Sequence, residues 1–85
     1  MQATSLDGVS IVRRALDLFQ KGGYRERLTF GEVVPLANTR MGEEVAKPFK
    51  LMSYDEVVNA LRQLERIGYP INIENERIRF TRYPW

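Results

Sequence analysis

Residues 53–68, SYDEVVNALRQLERIG, carry a start signal, a stop signal and a period that agree on one amphipathic helix. Ser53 followed three residues later by Glu56 is a capping box: hydroxyl and carboxylate each satisfy a backbone N–H that has no partner inside the helix. Gly68 suits the left-handed residue that ends a helix, and Pro70 stands just beyond it. At about 100° per residue, Tyr54, Val57, Val58, Ala60, Leu61, Leu64 and Ile67 fall on one half of the cylinder. Asp55, Asn59, Arg62, Gln63 and Arg66 fall on the other half, which is the first place to look for function.

Working upstream, Thr29 and Glu32 repeat the capping-box spacing, with Leu28 and Val33 placed to staple the entry, so a second helix is expected from Phe30. Pro35 lies too deep for a first turn. It lacks the N–H that would bond back to Gly31 and disfavours helical angles at Val34, which predicts a kink or a restart there. Leu36, Ala37 and Met41 continue the apolar stripe to about Gly42. Beyond it, residues 43–52 read as irregular apart from a partly helical stretch over residues 43–46. Lys47-Pro48 marks a turn, and Phe49, Leu51 and Met52 are expected to tuck into the core. Further upstream, Asp7 can cap a helix to about Lys21, with Ile11, Val12, Ala15, Leu16, Leu18 and Phe19 on one face. Ser10, Arg13, Arg14, Asp17 and Gln20 lie on the other, and Gly22-Gly23 stops the helix. Residues 24–27 are a charged connector. Arg13, Arg14, Arg25 and Arg27 form no continuous basic surface, since Asp17 and Glu26 interrupt them.

Downstream of residue 68 the period drops from 3.6 to 2. Ile71 and Ile73, then Ile78 and Phe80, alternate with Asn72, Glu74, Arg77, Arg79 and Thr81, the pattern of two half-buried strands. Residues 74–76 form the turn, with Asn75 best able to accept a positive φ. A two-stranded hairpin is marginal alone, so its Ile and Phe face must pack on the helices. Phe19, Phe30, Tyr54 and Phe80 accordingly read as packing residues. Tyr83-Pro84-Trp85 lies past the strands and is expected either to fold back over the first helix or to anchor a partner.

The 85 residues allow one domain, residues 1–85, with residues 1–6 a flexible tail, and 44% hydrophobic residues exclude a disordered chain. Lys+Arg 13 against Asp+Glu 11 leaves a net charge of +2, too small by itself to indicate nucleic acid. Ten of the cations are Arg, the better residue for forked contacts to phosphate. The chain contains no Cys and no His, which removes disulfides and the commonest nucleophile, general base and zinc ligands. No carboxylate constellation replaces them: Glu43-Glu44 is an adjacent pair in a loop. The reading is therefore a binding module and not an enzyme, with no cofactor and no metal. No apolar run nears the ~20 residues that cross a bilayer, so a soluble intracellular protein, in the nucleus or the cytoplasm and nucleoid, is expected.

Three helices followed by a hairpin give an α+β fold with the layout of a winged helix-turn-helix. In DNA-binding examples the third helix enters the major groove and the wing meets the backbone. Asn59 and Gln63 suit adenine edges, Arg62 and Arg66 suit guanine, and Arg77, Arg79 and Arg82 would meet phosphates. Double-stranded DNA is thus the expected partner. Glu74 and Glu76 at the hairpin tip, and the near balance of Asp55, Glu56 and Glu65 against Arg62 and Arg66, leave other subunits of a complex as the alternative.

Residues 28 to 80 resemble the C-terminal winged-helix domain of archaeal initiators and eukaryotic origin-recognition subunits. The positions that carry the resemblance are Thr29-Phe30, then Val57, Leu61, Leu64 and Gly68. The winged helices of transcription factor IIE beta and of biotin-repressor-like regulators are similar to nearly the same degree. The resemblance implies work in replication or transcription; Pro35 and the acidic tip depart from the pattern.

Overall fold

The computed structural model describes residues 7–23, 27–45 and 49–82. The tail at residues 1–6, the connector at residues 24–26, Ala46, Lys47-Pro48 and Tyr83-Pro84-Trp85 lie outside them. The elements run α1 (Gly8–Lys21), β1 (Leu28–Thr29), α2 (Phe30–Glu44), α3 (Tyr54–Arg66), β2 (Ile71–Glu74) and β3 (Arg77–Phe80). The fold is α+β, with three helices and a C-terminal hairpin in a winged-helix layout.

Local chemistry sets most boundaries. Asp7 accepts the Val9 N–H at the start of α1. Thr29 and Ser53 each form a complete capping box with Glu32 and Glu56. At the end of α3 Gly68 takes φ +98°. Its N–H donates to the Glu65 carbonyl at 3.2 Å and the Tyr69 N–H donates to the Leu64 carbonyl at 2.9 Å. These two bonds, with Leu64 and Tyr69 both buried, make a Schellman ending.

The three helices and the inner face of the sheet share one core. Ile11, Val12 and Leu16 from α1, Val33 and Ala37 from α2, Val57, Leu61 and Leu64 from α3, and Ile78 from β3 have no exposed surface. Asn38, midway along α2, holds the start of α3 in register: its amide donates to the Met52 carbonyl at 3.2 Å and accepts the Met52 N–H at 2.8 Å.

Four expectations are corrected. The helix containing Pro35 does not restart there; α2 is one continuous helix and runs two residues past Gly42, to Glu44. An interior proline costs about 3 kcal/mol relative to alanine, while burying Phe30 and Val33 contributes about 1.5–3 kcal/mol each, so tertiary packing wins. The carbonyl that Pro35 leaves unpaired belongs to Gly31, an exposed residue where water can reach it. Secondly, the sheet has three strands in the order β1-β3-β2, because Leu28 and Thr29 pair with Ile78 and Arg77 as well as opening α2. Thirdly, Leu18, Tyr54 and Ile67 are exposed although they lie on the apolar halves of their helices, and Leu51 is 63% exposed where a core position was expected. Phe49 is also at the surface, its ring against Gly42. Finally, Gln20 is only 3% exposed in spite of its place on the polar face. Its amide donates to the Tyr69 hydroxyl at 3.1 Å, and that hydroxyl donates to Asp17. Burial and the bond to Asp17 push the Tyr69 phenol far above its usual range.

Candidate nucleic-acid interface

The outward strip of α3 consists of Asp55, Asn59, Arg62 and Arg66, with Gln63 on its flank; all five are exposed. The strip is more cationic than the composition of the helix suggests, because two of its three carboxylates turn elsewhere. Glu56 accepts the Ser53 N–H at 2.8 Å, which with the Ser53 hydroxyl holds its pKa below the usual carboxylate range. Glu65 reaches sideways and accepts the Ile73 N–H at 2.8 Å, covering an edge amide of β2 that the ladder leaves open. Only Asp55 stays on the strip.

The wing meets α3 on the flank of that strip that carries Tyr54 and Glu65. Its two-residue turn, Asn75 and Glu76, has φ of +49° and +61°, the signature of a type I′ hairpin turn. Glu76 is held in this unusual conformation from two directions. Its carbonyl accepts the Phe30 N–H at the start of α2, at 2.9 Å. Its carboxylate accepts the Tyr54 hydroxyl at the start of α3, at 3.1 Å, while the Tyr54 ring packs edge-on to Phe30. Partial burial, followed by the neighbouring Glu76 carboxylate, raises the Tyr54 pKa. Glu76 is therefore a tie between the wing and the starts of α2 and α3, and its exposed carboxylate keeps its charge.

The outer face of the sheet is arranged in rows by the strand register. Arg77 stands directly opposite Glu74 on one side and Thr29 on the other; Arg79 stands opposite Asn72. Ile78, between the two arginines, points into the core. Arg27, which enters β1, lines the same shallow concavity as Asn72, Glu74, Arg77 and Arg79. Arg77 also acts on Glu32: the Thr29 N–H and hydroxyl, and to a smaller extent Arg77, lower that carboxyl's pKa.

The seven candidate residues thus fall into three pairs and a single residue, Arg82. Asn59 and Gln63 open on a groove shared with Asp7, Lys50 and Leu51. Arg62 and Arg66 crown the α3 strip, and Arg77 and Arg79 face outward from the sheet. Arg82 is exposed in the bend after β3. Among the described residues, the ion pairs engage none of Arg62, Arg66, Arg77, Arg79 and Arg82. The upstream arginines differ. Arg14 pairs with Glu44, Arg40 pairs with Glu43 at 2.8 Å and approaches Glu44 at 3.0 Å, and Arg13 lies over the Tyr69 ring. The Arg14 contact ties α1 to α2, and together these pairs occupy Glu43 and Glu44. Among the described residues no group of three acidic side chains is placed to hold a metal ion.

Sequence reasoning passed over Arg27, Tyr54 and Asn38 as contributors. Arg27 had a readable signal, since Arg27-Leu28-Thr29 alternates polar, apolar, polar as strands do. Comparison with models of known families, with curated proteins and with solved structures gives no significant match. No helix among the described residues is long and apolar enough to cross a membrane.

Proposed function

We propose that this chain is a winged-helix module that binds double-stranded DNA through α3 and the wing, as part of intracellular replication or transcription machinery. The observation that carries the reading is a separation of charge. The arginines of α3 and the sheet point to water without ion-pair partners, while Glu56, Glu65 and Glu76 of the same elements are drawn onto internal donors. That arrangement weakens one of the two features that argued against DNA, the balanced third helix; the wing tip keeps Glu74 and Glu76 at the surface.

In this reading α3 lies in the major groove. Asn59 and Gln63 address adenine edges, Arg62 and Arg66 address guanine, and the sheet and Arg82 take the flanking phosphates. The module binds without catalysing a reaction and needs no cofactor. A second reading, docking to another protein subunit, draws on the exposure of Leu51 and Ile67, at 63% and 69%, beside the two ends of the strip.

A fluorescence titration with a short duplex separates the two. Two phosphate contacts, one on the sheet and one at Arg82, give a log–log salt slope of about −1.8, so affinity falls roughly 12-fold between ~50 and ~200 mM salt. Arg62→Ala with Arg66→Ala abolishes binding and leaves the melting temperature near that of the parent. Absence of binding at ~50 mM salt, or binding with no salt slope, rejects the DNA reading; undiminished affinity in the double variant places the contact elsewhere.

A further inference from the structure

The register of the sheet creates a juxtaposition whose effect on folding is unfavourable. Continuing the pairing of Leu28 with Ile78 and Thr29 with Arg77 by one residue sets Arg27 across from Arg79, on the outer face. Both side chains line one concavity, and Asn72 completes the row from β2. Side chains directly opposite in a sheet sit about 4.5–5.5 Å apart at Cβ, and like charges there destabilise the pair. Neither arginine forms an ion pair with a described residue. The next row differs: Arg77 has Glu74 directly opposite and acts on Glu32. One row is balanced by carboxylates; its neighbour presents two guanidinium groups and an amide that form no ion pair with a described residue, with Glu74 of the first row at the edge of the same concavity.

We propose that Arg27 and Arg79, with Asn72 beside them, form the seat for one phosphate group of the nucleic-acid backbone, and that Arg77 contributes little to it. This rests on the DNA reading and deepens it: a phosphodiester oxyanion between two guanidinium groups offsets the repulsion that the empty row carries. The strand bound there crosses the outer face of the sheet at the β1–β3 ladder and passes clear of the wing tip. Asn72 donates its side-chain amide to a phosphate oxygen from the third side.

The decisive experiment compares salt slopes of duplex binding for Arg27→Ala, Arg79→Ala and Arg77→Ala, alongside melting temperatures in low salt. Arg27→Ala and Arg79→Ala are each expected to lower the slope magnitude, and the double variant by about 0.9, the loss of one phosphate contact, while Arg77→Ala leaves it unaltered. Arg27→Ala melts no lower than the parent, since removing one of two facing cations relieves their repulsion. An unaltered slope in Arg27→Ala overturns the seat, and so does an equal loss in Arg77→Ala. A fall in melting temperature alongside the loss of binding makes Arg27 a structural residue and overturns it as well.

A second arm stands independently of the DNA reading: titration of pyrophosphate, followed by the Nε–Hε resonances of assigned arginines. Selective shifts at Arg27 and Arg79 support the seat. Equal shifts at every exposed arginine overturn it. Selective shifts in a protein that fails to bind duplex overturn the assignment to nucleic-acid backbone, and with it the proposed function, leaving a site for free phosphate.

Discussion

Replacing Glu76 by glycine tests the reading of the wing turn. Glu76 sits at φ +61°, where an L-residue other than glycine costs about 1–2 kcal/mol. Glycine removes that penalty but adds conformational freedom to the unfolded chain, which costs about 0.4–1 kcal/mol. The backbone bond from the Phe30 N–H to the residue 76 carbonyl is unaffected by the change. The side-chain bond from Tyr54 is lost, so the comparison belongs in a Tyr54→Phe background, where that bond is already absent. There Glu76→Gly should stabilise by about 0.5–1 kcal/mol, a rise of roughly 3–6 °C for a domain of this size. Thermal unfolding followed by circular dichroism reads it, with Glu76→Ala as the control that keeps the strain. An unchanged or lower melting temperature in the glycine variant refutes the claim that the turn is strained and held by its neighbours.

Three further outcomes follow from the helices. Glu32 and Glu56 have folded-state pKa values below the ordinary 4.5. The stability they contribute is complete above the unfolded value and is lost as pH falls through the lowered folded value. A pH series of melting temperatures from 7 to 3 should fall steeply below about pH 4.5, and Glu32→Gln with Glu56→Gln should flatten that limb; an equally steep limb in the double variant contradicts the capping geometry. Pro35→Ala restores an N–H able to donate to Gly31 and removes no buried surface, so it should stabilise by about 2–2.5 kcal/mol in urea unfolding, the helix gain less the lost chain stiffness. Destabilisation by Pro35→Ala would mean that the helix is adapted to the proline. Tyr54→Phe alone should raise amide exchange at Asn75 and Glu76 while leaving α1 unchanged, because the hydroxyl ties only the wing; unaltered exchange there removes the tie.

Much of this fold was readable because its signals are local. Both capping boxes, the Asp7 cap and the Gly68 ending depend on residues within a turn of one another, and the structure forms all four. The period-2 alternation of residues 71–80 likewise placed the hairpin and put positive φ at Asn75, though not at Glu76. What escaped was set by partners distant in sequence. Leu28-Thr29 is too short to announce a strand, and its pairing with β3 spans half the chain. Gln20 is buried through a bond to Tyr69, 49 residues away. Pro35 was given its local cost without the packing of Phe30, Val33 and Ala37 that outweighs it. Tyr54 and Ile67 lie at the margins of the apolar arc of α3, where the period cannot separate half-buried from exposed.

The candidate surface divides in the same way. Exposure of Asn59, Arg62, Gln63, Arg66, Arg77 and Arg79 follows from helical and strand period. Its charge pattern follows only in part: the capping box engages Glu56 within its own turn, whereas Glu65 and Glu76 are engaged by partners distant in sequence. Arg27 belongs with Arg79 through strand register alone.

The central claim is that duplex DNA lies across the outer strip of α3 and the outer face of the sheet. Amide and arginine side-chain shifts of the isotope-labelled chain, recorded as a short duplex is added at ~50 mM salt, test it most directly. The account predicts shifts concentrated at Asn59, Arg62, Gln63 and Arg66 and along the row of Arg27, Asn72 and Arg79, fading as salt is raised. Shifts confined to the groove between α1 and α2, around Leu18 and Leu36, or no shifts at all, would contradict it.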